Sequence, residues 1–202
     1  MKFAKKYEHN LRYLAAFLNT LPDDYDAFHM GYFCGAEGGW EHDPAEVKGA
    51  MKHCGTVACA VGHLSLLGFR PQQDESHGAF SERVLGLPFD DEDSLLWAWC
   101  FSGNWANIDN TPKGAAKRIT FLLTASEEEV GKATRLFDDF TYQTFLGDTI
   151  PEGKEEIVAI YSKCEPPSLD SLDQTKLPRE AGLFAARERA GEPILSFLAD
   201  RQ

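Results

Sequence analysis

The sequence predicts a mainly α-helical protein: a single helical domain around a buried central helix at 55–67, with at most a small sheet and a helical C-terminal extension. Three stretches predict it. Leu11, Leu14, Ala15, Leu18 and Leu21 recur at helical spacing. Asn110-Thr111-Pro112 pairs a capping side chain with a proline suited to a first helical turn, and the stripe Ala115, Ala116, Ile119, Leu122 and Leu123 follows it. Residues 55–67 are apolar almost all round, as suits a helix in the middle of a protein.

Taken in order, a first amphipathic helix covers 4–20 and stops at Pro22, Asp23 and Asp24. The aromatic run 25–34 is short and fits a strand or an extended segment. Residues 35–44, with three glycines and Pro44, read as a loop, and 45–52 as one or two helical turns. Gly68 ends the central helix. A short helix spans 80–87 before Pro88, and Asp90 to Asp93 precede an apolar helix that ends before Gly103. In the helix after Pro112, Lys113, Lys117 and Arg118 are expected to face water. Ser126 and Glu129 match a capping box for a helix reaching about 145. A short apolar helix at 157–161, a proline-bearing linker at 164–177 and a last helix from Pro178 complete the chain. The expected division is 1–124 as the helical core and 125–202 as the helical extension packed on it.

Bulk charge excludes some functions. Lys and Arg total 20 against 32 Asp and Glu, a net charge of −12. Direct nucleic-acid binding needs a basic face to displace counterions from phosphates, so it is not expected. Only the first 20 residues are locally basic, through Lys2, Lys5, Lys6 and Arg12. The acids fall in short clusters, Asp90 to Asp93 and Glu127 to Glu129, which leaves an acidic DNA-mimic inhibitor as one alternative. The five cysteines are an odd number in a chain too long to need disulfides. The start has no signal-peptide core, and the apolar stretch 56–69 falls short of the roughly 20 residues that span a bilayer. A cytoplasmic protein without membrane contact is expected.

The segment His53-Cys54-Gly55-Thr56-Val57-Ala58-Cys59-Ala60-Val61-Gly62-His63 is where chemistry is most plausible. A cysteine at the positive end of a buried helix is stabilised as thiolate, and the free amides beside Gly55 and the Thr56 hydroxyl suit a phosphate or carboxylate. The bland reading is that the cysteines are small core hydrophobes. His63 lies nine residues beyond Cys54, about 13 Å along a regular helix, too far to act as its base. His53, Cys54, Cys59 and His63 lack the C-x-x-C spacing of a zinc knuckle, so neither a metal nor another cofactor is expected. Nucleotide-loop, dinucleotide-fold, zinc-protease and nucleophile-elbow motifs are missing from the sequence. Trp40 and Trp105 lie in glycine- and asparagine-bearing segments and are candidates for stacking on a ligand ring.

Cys54-Gly55-Thr56, Cys59, Gly62-His63, Asn110-Thr111-Pro112, Ala115-Ala116 and Arg118-Ile119, with Leu21-Pro22 and Phe28-His29-Met30, make residues 11–124 similar to a group of small uncharacterised bacteriophage and bacterial proteins. That group carries C-G-T-x-x-C-x-x-G followed by His or Trp, then N-T-P-x-x-A-A-x-R-I. It has a tryptophan soon after the methionine, where this chain has Tyr32 and Phe33. A tryptophan in the place of His63 implies binding rather than catalysis. The expected function is therefore a small phage-type binding protein that holds a small anionic, nucleotide-like ligand or a host protein and interferes with a host function. Its candidate ligand-binding residues are Trp40, Cys54, Gly55, Thr56, His63, Trp105 and Asn110. The enzymatic alternative is a hydrolase or transferase using Cys54.

Overall fold

The first leucine stripe folds as α1 (Lys5–Thr20) and buries Leu11, Tyr13, Leu14, Ala15, Ala16, Phe17 and Leu18. It ends where Pro22 forces the preceding residue out of the helical region: Leu21 is extended, at φ −76° and ψ 144°. The computed structural model describes residues 3–31, 34–36, 39–40, 57–72, 75–89, 94–146 and 153–173, and the chain is mainly helical.

Three short strands, β1 (Cys34–Ala36), β2 (Gly39–Trp40) and β3 (Val57–Ala58), form an antiparallel sheet in the order β2-β1-β3. Gly35 pairs with Trp40 and with Val57, and Cys34 with Ala58. The expected loop at 35–44 thus contains a small hairpin.

The expected helix at 55–67 is corrected. Residues 57–58 are strand, and a 3-10 turn at Gly62–Ser65 leads to Gly68, whose φ is +85°. Its apolarity encoded burial, since residues 58–64 are all buried. All-round apolarity carries no period, however, so it cannot separate a buried strand and turn from a buried helix. Tertiary pairing decides: Ala58 N–H donates to Ala27 O (3.0 Å), and His29 N–H donates back to Ala58 O (3.1 Å). The expected turns at 45–52 and the last helix from Pro178 lie outside the described residues.

α2 (His77–Leu85) starts on Ser76, whose Oγ accepts from Ala79 N–H, and stops at Gly86 in the left-handed region. A β-carbon at Gly86 would collide with the Tyr7 ring, so glycine meets both the backbone and the packing demand. α3 (Ser94–Phe101) runs into a 3-10 turn at Gly103–Asn107.

α4 (Pro112–Thr124) begins where its sequence predicts, with Thr111 Oγ1 accepting from Gly114 N–H at 2.9 Å. Thr111→Ala should cost about 1 kcal/mol, read as a lower urea midpoint at unchanged slope; an unchanged midpoint would show the cap to be dispensable. The Ser126–Glu129 capping box is present in both directions and opens α5 (Glu127–Leu146). α6 (Lys154–Tyr161) follows Gly153 at φ +113°.

Among the described elements the α1–α4 pair shares the largest helix–helix contact, in place of a 55–67 helix. Val130, Ala133, Phe137, Phe140, Ile157, Tyr161 and Leu169 join the same core, so the described part of 125–202 packs directly into it.

Candidate functional site

Cys54, Gly55 and Thr56 lie outside the described residues, and of Trp40 only the backbone in β2 is described. The other three candidates each have partners of their own inside the fold. His63 is wholly buried beneath the Phe17, Tyr25 and Phe28 rings, with Nδ1 2.8 Å from Cys59 O. Burial pulls its pKa down to about 4, so it is a neutral core histidine at pH 7. Its Nε2 has no hydrogen-bond partner among the described residues.

Trp105 is also fully buried, which corrects the expectation that it stacks on a ligand. Its ring lies parallel to Phe137 at 4.4 Å, and the Arg118 guanidinium sits over it at 4.0 Å. Asn110 Oδ1 accepts from Met30 N–H at 2.8 Å and so ties the 25–31 segment to the start of α4. Asn110 also borders a cavity of about 520 Å³ between Ile108–Thr111 and the α6 residues Lys154, Glu155, Val158 and Ala159.

The described thiols are poor nucleophiles. Burial pushes Cys59 up to about 11 and Cys100 up to about 12, and Cys164 shifts upward for the same reason. A thiol held protonated attacks slowly at neutral pH. Among the described residues no three His, Cys, Asp or Glu side chains gather as metal ligands would. No described helix is long and apolar enough to cross a membrane.

Arg118, expected to face water, is instead completely buried. Its Nη1 donates to Asp109 O (3.3 Å) and lies 3.7 Å from Asp109 Oδ2. The same carboxylate accepts from Thr111 Oγ1 (2.7 Å), Thr111 N–H (3.3 Å) and Tyr161 Oη (2.8 Å). Gly114 is needed here, because a β-carbon would overlap the Asp109 carboxylate. Nε and Nη2 of Arg118 have no hydrogen-bond partner among the described residues. The Trp105 face at 4.0 Å and the Tyr161 ring at 5.6 Å compensate part of that loss. Asp109 thus already supplies the anion at the α4 N-terminus.

A second cavity, of about 510 Å³, lies along the first turns of α1 and is lined by Lys5, Lys6, Glu8, His9, Asn10 and Arg12. Lys5, His9 and Arg12 fall on one helix face at i, i+4 and i+7. Glu8 Oε1 accepts from Arg12 Nε (3.0 Å) and Nη2 (2.9 Å), which orients the guanidinium. Asn10 is buried, and its Nδ2 donates to Val84 O at 2.7 Å. Ala4 provides no side-chain cap, so the amides of Lys5 and Lys6 add the positive end of the helix to two lysines. The residues around this cavity other than Lys5, Lys6 and Arg12 carry no basic-run signal in the sequence, and their convergence depends on the fold.

The chain matches no protein-family model, no curated protein and no solved structure.

Proposed function

We propose that the protein is a non-enzymatic binder of a small anionic, nucleotide-like ligand, and that the α1 cavity is its site. The observation that carries this reading is the gathering of Lys5, Lys6, His9 and Arg12 around one cavity in a chain of net charge −12. Two lysines in an uncapped first turn sit against the helix dipole, an arrangement that costs stability and that a bound phosphate would offset. Contact-distance interactions decide such binding, because acids on remote surfaces are screened beyond about 8 Å. The raised pKa values of the described thiols and the neutral, enclosed His63 favour binding over catalysis. Together with the resemblance to phage proteins, the reading extends to sequestration of a nucleotide-like signal in a host cell.

A thermal-shift series with ATP, GTP, ADP and inorganic phosphate tests it. A ligand at 100 times its Kd should add about 2.7 kcal/mol of stability, seen as a clear rise in melting temperature. Lys5→Glu/Lys6→Glu should abolish the rise, and the free double variant should melt no lower than the original protein, because glutamates suit the positive end of the helix. The proposal fails if no compound in the series shifts the transition, or if the double variant responds like the original protein.

A further inference from the structure

The charges that line the α1 cavity differ in how far they are already compensated. Glu8 and Arg12 form a neutral pair, because Glu8 Oε1 accepts from both Nε and Nη2 of Arg12. Lys5 and Lys6 are left over: both are exposed, and among the described residues neither ammonium has an ion pair. Two uncompensated positive charges therefore stand at an uncapped helix start, whose amides add roughly half a charge of the same sign.

Part of this arrangement is held in place. Lys6 Nζ lies 5.3 Å from the centre of the Tyr7 ring, and that ring packs against Gly86, where a β-carbon has no room. The cation–π contact over an anchored ring keeps the Lys6 ammonium beside the helix start. Arg12 spends two of its five N–H groups on Glu8 and keeps three for another acceptor. At about 510 Å³ the cavity falls in the size range of sites for whole small molecules, so it holds more than a bare phosphate.

We infer that the α1 site takes the phosphate monoester end of a nucleotide and discriminates against a phosphodiester. The inference rests on the reading of this cavity as the binding site. A phosphate monoester carries about −1.5 to −2 charge at pH 7 and presents three acceptor oxygens. That charge matches the two uncompensated ammoniums, and the three oxygens can be shared among Lys5, Lys6 and Arg12. A diester, the cyclic kind included, carries one negative charge and has one terminal oxygen fewer, so it leaves one ammonium unmatched. The ligand class is therefore a nucleotide with a free terminal phosphate, and a cyclic nucleotide is the class the site rejects.

The test is calorimetric titration of the full chain with adenosine 5′-monophosphate, its phosphate methyl ester and the cyclic 3′,5′-monophosphate, which share base and sugar. The monoester should bind at least tenfold more tightly than either diester. Lys5→Gln and Lys6→Gln should each weaken the monoester several-fold and the diesters less, so that the ratio shrinks. Both side chains are exposed, and an unchanged circular dichroism spectrum separates lost binding from lost folding. Lys132→Gln removes one exposed charge outside the cavity and should leave the ratio as it was. Equal affinity for the three compounds, tighter binding of a diester, or a loss in Lys132→Gln as large as in Lys5→Gln would overturn the inference and leave the cavity standing as a binding site. Binding of none of the three would overturn it as well; if ATP, GTP, ADP and inorganic phosphate also leave the melting temperature unmoved, the reading of the cavity falls with it.

Discussion

Asp109→Ala is expected to destabilise the protein by about 3–5 kcal/mol, the range for removing one partner of a buried charge pair. The carboxylate is the hub of the polar interior: it accepts from Thr111 Oγ1, Thr111 N–H and Tyr161 Oη, and it faces the enclosed Arg118 guanidinium. Without it the guanidinium stays in a site closed to water, with two nitrogens already lacking partners, and the Tyr161 hydroxyl loses its acceptor. Arg118→Met should cost much less, because it removes the charge that needs compensation while keeping an unbranched side chain over Trp105. The pair is therefore coupled with a definite sign: Asp109→Ala/Arg118→Met should be more stable than Asp109→Ala alone. Urea denaturation of the three variants measures this. An Asp109→Ala variant within 1 kcal/mol of the original protein, or a double variant less stable than the single, would mean that the Trp105 face and water suffice to hold the cation.

Arg118 also shows which parts of this protein its sequence makes legible. Its chemical type placed it on the wet side of α4, but its spacing did not. Ala115, Arg118 and Leu122 stand at i, i+3 and i+7, so the position falls on the buried stripe, and only its charge argued otherwise. The signal that could have corrected this was the nearby aromatic set, Trp99, Trp105 and Tyr161, able to receive a buried guanidinium. Helix starts were legible because their causes are local: Thr111 reaches Gly114 and Ser126 reaches Glu129, each three residues away. The 57–65 segment was legible as core but not as strand and turn, because its conformation is fixed by bonds to Ala27 and by pairing with β1, both distant in sequence. The same holds for the site. Lys5, Lys6 and Arg12 stand out as the only basic run, whereas the cavity they share with His9 and Asn10 exists only once α1 has packed. Trp105 failed as a ligand-stacking residue for a related reason: glycine and asparagine neighbours suggested an open loop, while Phe137 and Arg118 cover its two faces.

The second large effect expected is an acid-dependent loss of stability centred on His63. In the folded chain this imidazole is enclosed by Phe17, Tyr25 and Phe28, and among the described residues its only hydrogen bond is from Nδ1 to Cys59 O. Protonation would place a charge at Nε2, where the described residues offer no acceptor, and its pKa falls from 6.5 to about 4. The unfolded chain takes up this proton at its ordinary pKa, so the unfolded state binds more protons throughout the window between the two values. Stability from this group is therefore intact above pH 6.5, declines as pH falls, and is exhausted near pH 4. Linkage puts the loss at about 2 kcal/mol between pH 7 and pH 5, and about 3 kcal/mol by pH 4. The range from pH 7 to 5 isolates the histidine from the main carboxylate contribution. Glu75, held below the usual carboxylate range by its hydrogen bonds from Arg83 (2.6 and 2.7 Å), gives stability that disappears only as pH falls through lower values. The measurement is the urea midpoint of the original protein and of His63→Phe at pH 7 and pH 5. Each protein is compared with itself, so any packing cost of the larger ring cancels. The midpoint of the original protein should fall clearly over this range, and that of His63→Phe should fall by at least 1 kcal/mol less. Equal declines in the two proteins would place the acid sensitivity elsewhere and show that His63 accepts its proton within the fold at no special cost.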